Sequence, residues 1–129
     1  MNARLQSRLT RTAFWLAAAT ALVLAELPKP PSLPIDGFGD KFEHILAFAV
    51  LALLGAAAYP RYPLARLGER LSFFGALIEV LQALPMLNRD CDIMDWVADT
   101  VAVAVVLGVV AWFRARGRSR AASLAGEAA

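Results

Sequence analysis

The sequence predicts an all-α polytopic membrane protein in which about four transmembrane helices form one bundle. Of the 129 residues, 59% are hydrophobic and only 19% are charged, and the mean hydropathy is +0.55. This balance is far from that of a typical soluble domain. The apolar residues cluster in four segments, and no stretch alternates apolar with polar residues as a strand would. We therefore expect a single membrane domain over residues 1–129.

The four apolar segments define the predicted spans. They cover residues 12–27, 44–59, 70–85 and 93–113. The first two approach the roughly 17–25 residues that cross a bilayer as a helix. Polar residues interrupt the third segment, whereas the fourth contains the long apolar run VAVAVVLGVVAWF. Only the fourth segment therefore predicts a span without support from its neighbours.

The connecting segments contain residues that end helices. Residues 27–40 hold four prolines and two glycines, a composition that favours an extended link. The sequences YPRYPLARLGER and PMLNRDCD predict turns before and after the third span. Residues 114–129 are basic and rich in small residues, which predicts a disordered tail.

Charged residues are distributed unevenly between the two sides of the predicted bundle. One side carries ten arginines: Arg4, Arg8, Arg11, Arg61, Arg66, Arg70, Arg114, Arg116, Arg118 and Arg120. The other side carries nine acids: Glu26, Asp36, Asp40, Glu43, Glu79, Asp90, Asp92, Asp95 and Asp99. Its three basic residues are Lys29, Lys41 and Arg89. Because basic residues favour the cytoplasmic side, both termini are predicted to be cytoplasmic.

The first apolar segment has a second interpretation. An arginine-rich start, an apolar core and the sequence VLA before Glu26 are also typical of a secretory signal with a small-residue cleavage site. Cleavage would leave three spans and would place the new N-terminus outside. The acidic side of the bundle would face outward in either case.

Two short sequences at predicted helix starts have the spacing of a capping pair. Asp40 and Glu43 are three residues apart in DKFE, as are Asp92 and Asp95 in DIMD. An acid at a helix start satisfies free backbone N–H groups and complements the helix dipole. Capping therefore accounts for Asp40, Glu43 and Asp92 without a functional role.

Other polar residues lie too deep in the predicted spans for capping. They are His44, Glu79, Gln82 and Asp99. An ionisable group at mid-helix costs roughly 2.5–3.5 kcal/mol to insert into a membrane, and it faces the bundle interior by default. Each of these residues lies three, four or seven positions from another polar residue, a spacing that puts the pair on one helix face. Three helices are thus expected to contribute polar stripes to one site.

The order of these polar residues resembles the VanZ-like family of small bacterial membrane proteins. The resemblance covers residues 36–110 and depends on DKFEHILAFAVL, GALIEVLQALP, a following arginine and aspartate, and DWVADTVAVAV. It marks eight positions, namely Asp40, Lys41, His44, Phe48, Glu79, Gln82, Arg89 and Asp95. The chain departs from the family at Asp99, where asparagine is common, and at Ala102, where glycine is common.

The resemblance implies a multi-span cell-envelope protein of the bacterial cytoplasmic membrane. The family is associated with resistance to glycopeptide antibiotics of the teicoplanin type. It implies no particular reaction, and many relatives occur in bacteria without such resistance. An envelope housekeeping role is therefore the second expectation that the resemblance allows.

The first functional hypothesis is an outward-facing site that binds an envelope-derived or lipid-linked ligand. Lys41 and Arg89 would hold an anionic group such as a lipid phosphate or a carboxylate. The acids would position these bases, or would bind an amine or sugar hydroxyls. The complete predicted ligand-binding set is Lys41, His44, Glu79, Gln82, Arg89, Asp95 and Asp99.

Two alternatives belong to other functional classes. An intramembrane enzyme acting on envelope lipid precursors would use His44 and Glu79 as acid and base, and His44 with two acids could also hold a divalent metal. A structural network of polar side chains without a ligand is the other alternative. No cofactor and no resident metal is assigned. No nucleic-acid partner is predicted either, because the basic tail suits anionic lipids.

Overall fold

The computed structural model describes residues 2–27, 39–87 and 91–127, and these residues form four α-helices. The helices are α1 (Ala3–Glu26), α2 (Asp40–Ala58), α3 (Leu64–Gln82) and α4 (Ile93–Glu127), with a short 3₁₀ turn at Pro85–Leu87. No strand occurs within the described ranges. The all-α prediction is confirmed.

Among the described residues, three helices are long and apolar enough to cross a membrane. Their spans are Arg4–Glu26, Lys41–Ala58 and Ile93–Leu124. The helix α3 falls short of this composition because it carries Arg66, Glu69, Arg70 and Glu79. The length and apolar composition of the other three helices indicate a membrane protein.

The first helix begins well before the apolar segment that predicted it. The side chain of Asn2 accepts a hydrogen bond from the backbone N–H of Arg4 at 3.2 Å, which caps the start of α1. Residues 3–11 include leucine, glutamine and arginine, which are good helix formers. The helix therefore continues through the basic flank of the predicted span.

The last helix extends through most of the segment that was expected to be disordered. Because α4 continues to Glu127, the prediction of disorder for residues 114–129 is wrong over residues 114–127. The last two residues of that segment lie outside the described residues. The segment contains arginine, alanine and leucine but no proline, and extension of an existing helix requires no new nucleus.

The second helix begins at Asp40, so the residue that caps it is the one before Asp40. Its N-cap is Gly39, which has φ +90°, and glycine adopts this conformation without the steric cost that other residues meet. Asp40 is therefore the first helical residue and not the N-cap. Glu43 lies half-buried in the first turn, where its backbone N–H donates to the carbonyl of Gly39 at 3.4 Å.

The core of the bundle is apolar, and so is much of its outer surface. The helix α2 packs against each of the other three, and Phe48, Leu51 and Ile78 are each only 1% exposed. On the outside, Trp15 and Phe73 are among many large apolar side chains that are well exposed. Extensive exposed apolar surface marks a membrane or partner contact, and this surface fits a lipid environment.

One end of the bundle is formed by the start of α2, the end of α3 and the start of α4. Four carboxylates lie there, and we call this region the carboxylate end: Glu79, Asp92, Asp95 and Asp99. The last turn of α1 reaches the same end, because Nε2 of Gln82 donates to the carbonyl of Ala25 at 3.0 Å. Residues far apart in sequence thus meet at one site.

The opposite end holds arginines that contact the last turn of α2. We call it the arginine end, after Arg11 and Arg114. Arg11 Nε donates to the carbonyl of Ala58 at 3.4 Å, and an Arg114 guanidinium nitrogen donates to the carbonyl of Ala56 at 2.8 Å. Basic side chains at a helix C-terminus satisfy the last carbonyls and complement the helix dipole. This end therefore stabilises α2.

Candidate functional site at the carboxylate end

Among the described residues, the buried polar side chains gather at the carboxylate end. They are His44, Glu79, Gln82, Asp95 and Asp99. Three helices supply them, with His44 one turn into α2, Glu79 and Gln82 in the last turn of α3, and the two aspartates in the first two turns of α4. The arrangement brings together polar stripes that the sequence placed on three separate helices.

Three of these side chains form a compact group. His44, Glu79 and Asp95 each offer a ligand atom, and these atoms all lie within 4.8 Å of one another. All three residues are buried. One nitrogen and two oxygen donors at this spacing are suited to a metal ion or to a ligand that donates hydrogen bonds.

A third buried acid, Asp99, lies behind the histidine. Nδ1 of His44 is 3.3 Å from Oδ2 of Asp99, and Asp99 is fully buried. Its other oxygen, Oδ1, has no hydrogen-bond partner among the described residues. A buried carboxylate oxygen without a partner is costly, so the contact of Oδ2 with His44 satisfies only half of the Asp99 carboxylate.

Glycine at position 75 makes room for this carboxylate. A Cβ atom at Gly75 would lie 3.3 Å from Oδ2 of Asp99 and 3.3 Å from Cζ of Phe48. The sequence interpretation missed Gly75 as part of the site. Its position four residues before Glu79, on the same helix face, was the available signal.

Glu79 is only partly satisfied by the protein. Oε2 accepts a hydrogen bond from the backbone N–H of Asp92 at 2.9 Å, which joins the end of α3 to the segment before α4. Oε1 has no hydrogen-bond partner in the part of the chain that the structure describes. Glu79 is only 6% exposed, so water has little access to this oxygen.

Lys41 is engaged by two carboxylates at the rim of the site. Its Nζ lies 3.2 Å from Oδ2 of Asp92 and also contacts Oδ1 of Asp95. Half of the lysine side chain is exposed. The predicted contact of Lys41 with an anionic ligand would therefore compete with two protein carboxylates.

Asp92 caps the last helix, as its position before Ile93 predicted. Its Oδ1 accepts a hydrogen bond from the backbone N–H of Met94 at 2.9 Å, the contact expected of an N-cap residue. This N–H and the Lys41 ammonium hold the pKa of the Asp92 carboxyl below its ordinary value. Asp92 is exposed and lies at the rim, outside the buried group.

Gln82 is a predicted site residue whose side chain bonds to another helix and not to the compact group. The amide of Gln82 donates to α1, as described above, and so ties two helices together. Arg89 lies outside the described residues, and its predicted role stays a prediction. Phe48, which the resemblance marks, is buried in the apolar core beneath the site.

A second polar group between α3 and α4 was not foreseen. The hydroxyls of Ser72 and Thr100 are 2.8 Å apart, and Nε1 of Trp96 donates to the carbonyl of Ser72 at 3.1 Å. These residues and Glu69 are the polar lining of a mainly apolar groove of about 770 Å³ that continues along α3 and α4 to Ala111. Trp96 follows Asp95 in sequence, so the groove begins at the same level along α4 as the carboxylate end.

Comparison with known proteins adds no relative. No protein-family model, no curated protein and no solved structure matches this chain. The VanZ-like resemblance consequently depends on the sequence motifs alone.

Proposed function

We propose that this chain is a VanZ-like protein of the bacterial cell envelope that binds an envelope-derived or lipid-linked ligand at the carboxylate end. One observation carries the proposal: Glu79 and Asp99 each bury a carboxylate oxygen that has no hydrogen-bond partner among the described residues. Such groups cost folding free energy unless a donor or a positive charge reaches them. A ligand that supplies either would offset this cost.

The proposed orientation places the carboxylate end outside and four helices across the membrane. The 19 residues of α3 would span about 28 Å at 1.5 Å per residue, close to the roughly 30 Å of a bilayer core. Its Phe73 and Val80 are 72% and 64% exposed, which supports an apolar outer face. The arginine end would lie at the cytoplasmic surface, where basic residues are favoured.

The contacts also support a particular kind of ligand group. Lys41 already pairs with Asp92 and Asp95, and the buried atoms of the site are mainly acceptors. The matching groups are an amine, sugar hydroxyls, or a cation that accompanies an anionic headgroup. The link to teicoplanin resistance remains an implication of the family resemblance.

The groove between α3 and α4 supports a lipid-linked ligand. Its lining is mainly apolar, with Glu69, Ser72 and Thr100 as the polar exceptions, and its volume of about 770 Å³ lies within the usual range for small-molecule sites, roughly 300–1,000 Å³. Trp96 lines the groove next in sequence to Asp95. A headgroup at the carboxylate end would therefore leave its hydrocarbon chain beside this groove.

The direct test identifies lipids and envelope precursors that copurify with the full chain. We expect a bound molecule in the wild-type protein that is lost from Glu79→Gln. Asp92→Asn is the matched control, because it makes the same chemical change at the exposed rim and asparagine is also a good N-cap. Equal amounts of every lipid in all three proteins would contradict the proposal.

A second pair of variants tests the groove. Ala104 lines it, whereas Val105 does not and is 60% exposed. Ala104→Phe should reduce copurification of a lipid-linked ligand, because the larger side chain fills the groove, and Val105→Phe should not. If the two substitutions reduced copurification of the ligand equally, the groove would not be part of the proposed site.

A further inference from the structure

We infer that the carboxylate end binds a divalent transition-metal ion through His44, Glu79 and Asp95. The inference deepens the proposed function, and rests on it in one respect: the ion would be the positive group that lets this acidic site hold an anionic headgroup. The three ligand atoms lie within 4.8 Å of one another on three different helices. Rotation of buried side chains by a small distance would close them around an ion at roughly 2.0–2.2 Å.

The donor set selects the class of ion. Imidazole nitrogen suits zinc, iron and other transition metals, and carboxylate oxygen suits manganese and magnesium. A site with one histidine and two carboxylates therefore favours zinc or manganese over calcium or magnesium. Three protein ligands leave coordination positions open, as in metal sites that bind a further ligand.

The charge around the group also calls for a cation. Among the described residues, Glu79, Asp95 and Asp99 are buried carboxylates, and Lys41 is the nearby base that pairs with one of them. Glu79 is at least nine-tenths buried, and its Oε1 atom has no hydrogen-bond partner there. A divalent ion would coordinate this oxygen and would reduce the repulsion between the acids.

The histidine is oriented as in many metal sites. Its Nδ1 faces Oδ2 of Asp99 at 3.3 Å, so coordination would fall to Nε2. A metal-bound histidine commonly donates its other ring N–H to a carboxylate, which fixes the ring and raises its basicity. Asp99, which stands where the resembled family often has asparagine, would fill this supporting position.

The test measures metal bound to the purified full chain. The tag must contain no histidine, because His44 is the only histidine of the chain. After loading with zinc and desalting, we expect equimolar zinc in the wild-type protein. His44→Gln, Glu79→Gln and Asp95→Asn should each lower zinc affinity at least about tenfold. Asp92→Asn should retain the ion, and magnesium should not displace it.

A second measurement needs no variant and so does not depend on variant folding. Manganese bound to the wild-type chain should show coupling to a histidine nitrogen in pulsed electron paramagnetic resonance, and His44 is the sole source of that signal. Absence of bound metal, bound manganese without nitrogen coupling, or equal zinc in all variants would overturn the inference.

These results can be separated from the test of the proposed function. A lipid that copurifies with metal-free protein in a Glu79-dependent way would overturn the metal site and leave the proposed function standing. Tight zinc binding with no copurified ligand would leave the metal site standing and overturn the proposed function.

Discussion

The two ends of this bundle differ in how their polar groups are hydrogen-bonded. At the arginine end, Arg11 and Arg114 donate to carbonyls in the last turn of α2. At the carboxylate end, Glu79 and Asp99 each keep a buried oxygen that no described residue satisfies. At the arginine end these side chains satisfy backbone carbonyls, whereas the carboxylate end keeps carboxylate oxygens in excess of their donors.

This difference separates a stabilising region from a candidate binding region. Matched polar groups are the rule in folded proteins, and exceptions call for a specific explanation. Residues retained at some cost to stability are typical of functional sites. The two ends should therefore respond differently to substitution, and the following experiments are ordered from the largest expected effect to the smallest.

Replacement of Phe48 should disturb the whole bundle. Its side chain is 1% exposed and lies in the apolar core beneath the site, so Phe48→Ala should lower the free energy of unfolding by about 3–5 kcal/mol. Unfolding in detergent, followed by circular dichroism, measures the change. Phe73→Ala is the control, because that side chain is 72% exposed. A similar loss of unfolding free energy in both variants would show that the effect does not come from burial of the Phe48 side chain in the bundle.

Removal of a carbonyl contact should affect only the arginine end. Arg114→Ala deletes the charged hydrogen bond to the carbonyl of Ala56, and such bonds contribute roughly 1.5–3 kcal/mol. We expect lower stability with unchanged zinc and ligand content. Arg118→Ala, on the exposed continuation of the same helix, should change neither quantity. Loss of ligand from Arg114→Ala would mean that the two ends are coupled.

An added methyl group at Gly75 should weaken zinc binding at the carboxylate end while changing stability little. Gly75→Ala would bring a Cβ atom within 3.3 Å of both Asp99 and Phe48. Overpacking of this kind costs about 1–3 kcal/mol, partly offset by the better helix propensity of alanine, up to about 1 kcal/mol. The expected signature is weaker zinc binding with a small change in stability.

Gly108→Ala provides the matched control for that substitution. It makes the same change in a helix where the new Cβ meets no atom within 4 Å. It should keep zinc affinity and gain slightly in stability. If Gly75→Ala bound zinc as tightly as Gly108→Ala, the position of the Asp99 carboxylate would not control the site.

The smallest expected effect is a pH dependence at the rim. The lowered pKa of Asp92 means that the folded state favours the ionised carboxyl. Its contribution to stability is therefore present above the ordinary pKa of 3.8 and is lost as the pH falls through the lowered value. The stability difference between wild type and Asp92→Asn should be small at neutral pH and should vanish in acid. A difference that grows in acid would contradict the assignment.

The sequence was most informative where one physical rule dominates. Long apolar segments predicted the helices, because a segment in lipid must satisfy its backbone internally. The stripes of polar residues likewise predicted which side chains of α2, α3 and α4 converge. Depth in a span was the decisive signal for His44, Glu79 and Asp99, since insertion of such groups is costly.

Other features depended on local detail that composition does not carry. The helical continuation through residues 114–127 follows from helix propensity, which the basic, small-residue composition obscured. The cap at Gly39 required knowledge of a positive φ angle. The engagement of Lys41 by two acids and of Gln82 by α1 required the relative rotation of packed helices, which periodicity alone does not fix.

The central claim is that the carboxylate end keeps unmatched acceptors for a ligand and not for the fold. The most direct test measures both the free energy of unfolding of the ligand-free, metal-free protein and ligand binding, in wild type and Glu79→Gln. The account predicts lost binding with equal or higher stability, because a buried charge with an unpartnered oxygen is removed. A fall in folded protein in proportion to the loss of binding would contradict it, and would identify these residues as a structural network.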